Sequence, residues 1–156
     1  MVDEADKDIK DAALRLLARR EHSRKELLNK LTLKGYGKDA VVAVLDELAR
    51  QGWQDDQRYA DSYARSRIQK GYGPVRIDYE LRKNGIESLN LDEIVQQVAG
   101  SWMDVLERVY SRKFKQDRAI GHHEWAKRSR FLVQRGFSGE MISALLHHLN
   151  ISLNKF

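Results

Sequence analysis

The sequence predicts an all-α protein built from three tandem three-helix repeats, helix-turn-helix-like units in an elongated, curved array. Glycines recur at spacings of 50 and 51 residues, at Gly35, Gly85 and Gly136, and each one follows a helical pattern. An apolar stripe at positions i, i+3, i+4 and i+7, typical of an amphipathic helix, comes shortly after each glycine. The chain has a single proline, and no segment alternates apolar and polar residues well enough to predict a strand.

The three apolar stripes align without a gap. They are Val41, Val44, Leu45 and Leu48; then Leu91, Ile94, Val95 and Val98; then Ile142, Leu145, Leu146 and Leu149. A unit of about 50 residues buries a small core by itself, so neighbouring repeats are expected to pack edge to edge in the array. The repeats define three domains, at residues 1–52, 53–100 and 101–156.

Nine helices are predicted, in chain order. They lie near 7–20, 23–34, 38–51, 55–70, 74–84, 90–99, 101–116, 122–135 and 139–149. Ser23 begins the second helix with Glu26 three residues later, which is the pattern of a capping box. Asp55 and Asp56 are expected to cap the fourth helix, because carboxylates favour the positive end of the helix dipole.

The fifth helix has the clearest boundaries. Pro74 occupies its first turn, where proline is tolerated. Gly85 is predicted to end it as a left-handed C-cap, with apolar Ile86 following. Val75, Ile77 and Leu81 are predicted to point inward.

Composition excludes several functional classes. Without cysteine, the chain has no disulfide, thiol nucleophile or cysteine zinc site. No apolar run approaches the ~18 residues of a membrane span, and residues 1–11 are too charged for a signal peptide, so a cytoplasmic protein is expected. The pairs His122-His123 and His147-His148 are adjacent on helices and diverge by about 100°, which suits solvated surface residues better than ligands of one metal. We predict no enzymatic activity and no cofactor.

Positive charge is concentrated at the end of the chain. The net charge is +5, and residues 101–156 hold 10 Lys/Arg against 5 Asp/Glu. Segment 65–83, which joins the fourth and fifth helices, carries six Lys/Arg against two Asp/Glu. Such a balance favours an anionic partner, although a solvated charged face has the same composition.

Two basic clusters with interleaved aromatic residues are therefore candidate contact surfaces. The first supplies Tyr63, Arg65, Arg67, Lys70, Tyr72, Arg76, Arg82 and Lys83. The second runs from Arg108 to Arg135 and supplies Arg112, Lys113, Lys115, Lys127, Arg128 and Arg130. Tyrosines at helical spacing, here Tyr59, Tyr63 and Tyr79, more often pack in the core or at its rim than serve as base-stacking platforms. Arg128 stands where the other repeats have the apolar Leu27 and Ile77, so the third repeat either turns a charge inward or packs differently.

The run DDQRYADSYARSRIQKGYGPVRIDYELRKNGI closely resembles the signature of the RecX family, bacterial regulators of the RecA recombinase. The likeness is strongest over 53–86, looser over 12–52, where LLARREHSRKELLNKL is similar to the family's first repeat, and weakest after Gly100.

The resemblance implies a mostly negative regulator that binds the RecA–DNA filament and restrains its extension, ATPase and strand exchange in recombination, DNA repair and the SOS response. The implied partners are the filament and single-stranded DNA, with double-stranded DNA a further ligand, and the protein is expected to act as a monomer. The residues alone predict only an elongated basic binding module. The alternative is therefore a direct nucleic-acid-binding protein without a recombinase partner.

Overall fold

The computed structural model describes residues 4–154, and in that range the chain forms nine α-helices and two short β-strands. The helices are α1 Glu4–Arg19, α2 Arg24–Leu33, α3 Lys38–Arg50, α4 Asp56–Gln69, α5 Pro74–Lys83, α6 Leu91–Ala99, α7 Trp102–Lys113, α8 His122–Gln134 and α9 Gly139–His148. The strands are β1 Ala119–Gly121 and β2 Ser152–Asn154. All nine predicted helices are confirmed, with ends within three residues of the prediction.

The chain divides into two compact units. Unit 1 comprises Met1–Tyr63 and Leu81–Leu89, and unit 2 comprises Ala64–Glu80 and Asn90–Phe156. Residues of the middle repeat thus belong to both units. The domain boundaries 1–52, 53–100 and 101–156 remain a prediction.

Unit 1 is centred on the bundle of α1, α2 and α3. Ile9, Leu27, Leu45 and Leu48 are fully buried among these helices. The apolar positions lie at the spacing that places them on one face of each helix, so burial of that face holds the bundle together.

The residues predicted to cap α2 and α4 lie in unit 1, but one of them, Asp56, caps a helix other than the predicted one. The Ser23 hydroxyl accepts from the Glu26 amide and the Glu26 carboxylate accepts from the Ser23 amide, both at 3.1 Å, which confirms the capping box of α2. Asp55 accepts from the Arg58 amide at 3.0 Å within the first turn of α4. Asp56 lies in the first turn of α4, as expected, but its carboxylate accepts from the Arg24 amide at 2.9 Å and so caps α2 instead.

Unit 2 contains two strands that were not predicted. Strands β1 and β2 pair in parallel, with Ile120 opposite Leu153. Ile120 is buried between exposed Ala119 and half-buried Gly121. A three-residue strand with one buried side chain is too short to show the alternation by which strands are predicted. Helix α7 ends at Lys113, earlier than predicted, because Phe114 adopts an extended conformation.

The start of α5 and the turn between α8 and α9 are joined by backbone hydrogen bonds within unit 2. The Gly73 amide donates to the Arg135 carbonyl at 2.8 Å, and the Val75 amide donates to the Gly136 carbonyl at 3.0 Å. A Cβ atom at Gly73 would lie 2.4 Å from the Gly136 carbonyl oxygen. Glycine at these positions therefore permits a backbone approach that any other residue would block.

One inward prediction for α5 was wrong. Ile77 and Leu81 are buried, but Val75 is 57% exposed. Two residues span about 200° on a helix, so Val75 cannot share a face with Ile77. Gly85 confirms the predicted C-cap, with φ +87° and a hydrogen bond from the Ile86 amide to the Leu81 carbonyl at 2.9 Å. Across residues 4–154, no helix is both long and apolar enough to traverse a bilayer.

Candidate functional site

Tyr72 lies at the centre of a group of three arginines in unit 2. The guanidinium carbons of Arg67, Arg135 and Arg76 lie 3.7, 4.5 and 4.6 Å from the centre of its ring. The turn after α4 fixes the position of Tyr72, because its amide donates to the Arg67 carbonyl at 3.0 Å. The face of an aromatic ring attracts guanidinium groups electrostatically, so the Tyr72 ring holds the three arginines in place.

Arginines of the first predicted cluster make internal contacts. Arg67 donates to the Glu80 carboxylate through two nitrogens, at 3.0 and 3.2 Å. Arg76 donates to the Gln134 carbonyl at 3.0 Å, and Arg65 donates to the Gln97 side chain at 2.5 Å. All three arginines are half-buried. Their contacts fix local packing, so these side chains are only in part available to a partner.

Arg128 does not lie on a surface, which corrects its prediction as a contact residue. It is 5% exposed and donates to the Tyr110 hydroxyl at 2.6 Å and to the Lys115 carbonyl at 3.2 Å. It also pairs with Glu124 at 3.0 Å and with Asp117 at 3.1 Å. Burial opposes the charge, but the hydrogen bonds to Tyr110, Glu124 and Asp117 raise the pKa of Arg128 above its ordinary value. The third repeat therefore holds an inward charge where the other repeats bury Leu27 or Ile77.

The remaining basic candidates of unit 2 share a different environment. Each is exposed, and none has a carboxylate within 4 Å among residues 4–154. They are Lys70, Arg112, Lys113, Lys115, Lys127 and Arg130. We call these six residues the exposed cations of unit 2. Their charges are not neutralised internally and so are available to an external anion.

The three candidates in unit 1 are arranged separately. Arg82 and Lys83 are exposed near the end of α5. Tyr63 is half-buried and stacks on Tyr59, with ring centres 5.7 Å apart. Tyr59 itself is buried, and burial raises its pKa to about 12. Tyr63 therefore contributes to packing on one side, while its exposed part stays a candidate contact.

Arg108 and Arg135 complete the basic region of unit 2. Both belong to the second basic cluster of the sequence, but neither is among the predicted contact residues. Arg108 donates to the Ile68 carbonyl at 3.4 Å, and Arg135 donates to the Lys70 carbonyl at 3.2 Å. Both thus meet carbonyl groups at the C-terminal end of α4, where cations are favoured by the helix dipole. In the sequence, Arg135 directly precedes Gly136 at the end of a predicted helix. That position is the sequence signal that could have identified Arg135 as part of the site.

The structure shows no metal centre in the range that it describes. No group of three or more His, Asp or Glu side chains among residues 4–154 is arranged to hold a metal ion. His122, His123, His147 and His148 are all exposed, as expected, and His148 lies 3.1 Å from the Glu107 carboxylate.

Three family models match the sequence in the order of the three repeats. They describe the first, second and third three-helix domains of RecX, and they match residues 10–48, 55–93 and 103–146. The chain belongs to the RecX family. The prediction of an all-α fold with three three-helix domains is thereby confirmed.

Curated relatives extend the likeness over nearly the whole chain. The regulatory protein RecX of Halorhodospira halophila is 39% identical over 140 residues, which cover 90% of this chain and 87% of that protein. The protein of the same name from Legionella pneumophila is 38% identical over 142 residues, covering 91% and 95%. That of Pseudomonas fluorescens is 41% identical over 138 residues, covering 88% and 89%. The relatives of this RecX-family chain are thus named as regulators.

Solved structures of RecX proteins have the same fold. The crystal structure of RecX from Lactobacillus salivarius aligns with a TM-score of 0.65 at 23% identity, over 94% of this chain and 97% of that one. A second crystal structure, of a regulatory protein RecX, aligns with a TM-score of 0.69 at 21% identity, over 92% and 72%.

Proposed function

We propose that this protein regulates the RecA recombinase, mostly negatively, by binding the RecA–DNA filament. In this proposal it restrains filament extension, ATPase and strand exchange during recombination, DNA repair and the SOS response. The observation that supports it is membership of the RecX family along three consecutive domains. The protein would act as a cytoplasmic monomer, and ATP would be bound by the recombinase.

The exposed cations of unit 2 supply a physical basis for this proposal. A DNA-bearing filament is a dense array of phosphates, and side chains without internal ion pairs are free to replace condensed counterions there. A filament also repeats its subunits, so a protein made of repeated domains can contact several subunits at once and gain affinity by multivalency.

The same cations support a second candidate function, direct binding of nucleic acid without a recombinase. The two proposals differ in how affinity depends on the recombinase. A filament regulator binds coated DNA more tightly than bare DNA, because protein contacts add to phosphate contacts. Its salt dependence is also shallower for the same affinity, since contacts between proteins release no condensed counterions.

The decisive measurement is binding to labelled single-stranded DNA with and without saturating recombinase and a slowly hydrolysed nucleotide. Fluorescence anisotropy gives both affinities, and recombinase ATPase activity is followed in parallel. We expect tighter binding to the filament and suppression of ATPase activity. Equal affinity for coated and bare DNA, with unchanged ATPase activity, would contradict the regulatory proposal.

A matched pair of variants tests whether the unit 2 surface makes the contact. The test variant is Lys115→Gln/Lys127→Gln/Arg130→Gln, and the control is Lys25→Gln/Lys34→Gln/Lys38→Gln, which removes the same charge from exposed positions of unit 1. We expect the test variant to lose ATPase suppression and filament affinity and the control to keep both. Equal losses would show that net charge, rather than this surface, determines binding.

A further inference from the structure

A basic cavity opens in unit 2 where the end of α4 meets α7 and α8. Its volume is about 180 Å³, well above the ~10–15 Å³ that one water molecule needs on the same measure. Its charged and aromatic lining consists of Lys70, Arg108, Arg112, Lys113, Arg135 and Phe131. Five cations thus surround one concave space.

No carboxylate lines this cavity to balance those charges. Lys70, Arg112 and Lys113 are exposed at its rim, and none of the three has a carboxylate within 4 Å in the part of the chain that the structure describes. Like charges held close together repel one another, and a bound anion relieves that repulsion.

Part of the positive lining has a structural role. Arg108 and Arg135 donate to carbonyl groups at the end of α4, which partly accounts for their presence. Those contacts do not involve the Nε atom of Arg135, which is buried and has no hydrogen-bond partner among the described residues. These contacts also do not account for the presence of Lys70, Arg112 and Lys113 in the lining of the cavity.

An aromatic wall adds shape to the cavity. Phe131 packs edge to face against Phe114, with ring centres 5.6 Å apart, and the Lys113 ammonium lies 5.2 Å from the centre of the Phe131 ring. Several guanidinium groups suit a tetrahedral anion, because each of them can bind two phosphate oxygens at once. The fixed aromatic ring beside them suits an organic substituent on that anion.

We propose that this cavity binds the phosphate group of a phosphate ester, with Arg112, Lys113 and Lys70 as its main ligands. The proposal deepens the proposed function by assigning one phosphate contact to a defined site, yet phosphate binding is measurable without any recombinase. The ester is either a phosphodiester within a nucleic-acid strand or the terminal phosphate of a strand or nucleotide.

The first experiment titrates the protein with pyrophosphate and follows the arginine Nε–H signals by NMR. We expect saturable shifts at Arg108, Arg112 and Arg135. The variant Arg112→Gln/Lys113→Gln should lose the remaining shifts, whereas the control Lys25→Gln/Lys34→Gln, which removes the same charge from exposed positions of unit 1, should keep them. Absence of saturable shifts, or equal loss in both variants, would overturn the proposal.

A second experiment identifies the source of the phosphate. Competition for pyrophosphate is measured with ATP and with oligothymidylates that have or lack a 5′-phosphate. Equal competition by both oligomers assigns the site to internal phosphodiesters, and the cavity variant should then bind them about tenfold more weakly than the control variant does. Competition only by the phosphorylated oligomer, or only by ATP, assigns it to a terminal phosphate.

These outcomes are separate from those of the filament experiment. Cavity shifts without any preference for the filament would refute the regulatory proposal and keep the phosphate site. Filament binding without cavity shifts would keep the regulatory proposal and refute the phosphate site.

Discussion

Gly35 and Gly136 are equivalent glycines with the same backbone conformation in different surroundings, so substituting alanine at both isolates the effect of a close backbone contact. Their φ angles are +101° and +105°. A Cβ atom on Gly35 would meet no atom within 4 Å among the described residues, whereas one on Gly136 would lie 2.4 Å from the Arg76 Cβ and 2.9 Å from the Gly73 carbonyl oxygen. Gly35→Ala is thus a control for backbone strain alone.

The expected magnitudes follow from these distances. A left-handed conformation costs a non-glycine residue about 1–2 kcal/mol, and this is the whole loss expected for Gly35→Ala. In Gly136→Ala, overpacking adds about 1–3 kcal/mol. A shift of the turn also weakens the two backbone hydrogen bonds that link it to Gly73 and Val75, each contributing about 1 kcal/mol. We therefore expect Gly136→Ala to lose at least ~2 kcal/mol more than Gly35→Ala.

Urea unfolding followed by circular dichroism and fluorescence measures both losses. Each variant is compared with the wild-type transition. A difference of about 2 kcal/mol corresponds to roughly 4–8 °C in a thermal melt of a chain of this size. If the two variants lose equal stability, the close contact at Gly136 contributes nothing and the reasoning is refuted.

Two further predictions concern buried polar groups. Arg128→Ala should lower the free energy of unfolding in urea by about 2–4 kcal/mol, because it removes buried packing and leaves the Tyr110 hydroxyl without its hydrogen-bond partner, while the exposed acids rehydrate. Arg128→Leu should recover part of that loss by restoring apolar packing. Equal losses in the two variants would show that packing is irrelevant. Burial lowers the pKa of His22, whose Nε2 lies 2.9 Å from the Lys30 ammonium. The unfolded chain then binds more protons, so the free energy of unfolding should fall as the pH drops below about 6.5, and a wild-type slope no steeper than that of His22→Asn would contradict this.

The helices could be predicted closely because their signals are local. Apolar stripes at helical spacing, the capping box at Ser23 and the glycines that end the helices all act within a few residues, and each was found where expected. The errors occurred where distant residues decide the outcome. Asp56 caps α2 because the fold brings it to Arg24, and β1 exists because Ile120 meets Leu153, a partner distant in sequence.

The candidate site could be predicted less well, because composition does not reveal which charges are satisfied internally. Arg67 and Lys70 are three residues apart and look equivalent in the sequence. The structure shows Arg67 held by Glu80 and by the Tyr72 ring, whereas Lys70 is exposed beside the basic cavity. Sequence spacing identified the basic region, but only tertiary contacts divide it into structural and available charges.

That division determines which substitutions can test function. Arginines with carboxylate, carbonyl or aromatic partners, such as Arg76 and Arg128, stabilise the unit that presents the exposed cations, so replacing them lowers stability and binding together. Replacing Lys127 or Arg130 removes a charge that has no ion-pair partner within residues 4–154, and changes at exposed sites of this kind usually shift stability by no more than about 0.5 kcal/mol. A binding defect in those variants therefore reports on the surface itself, which is why both proposals are tested with exposed residues that keep the fold intact.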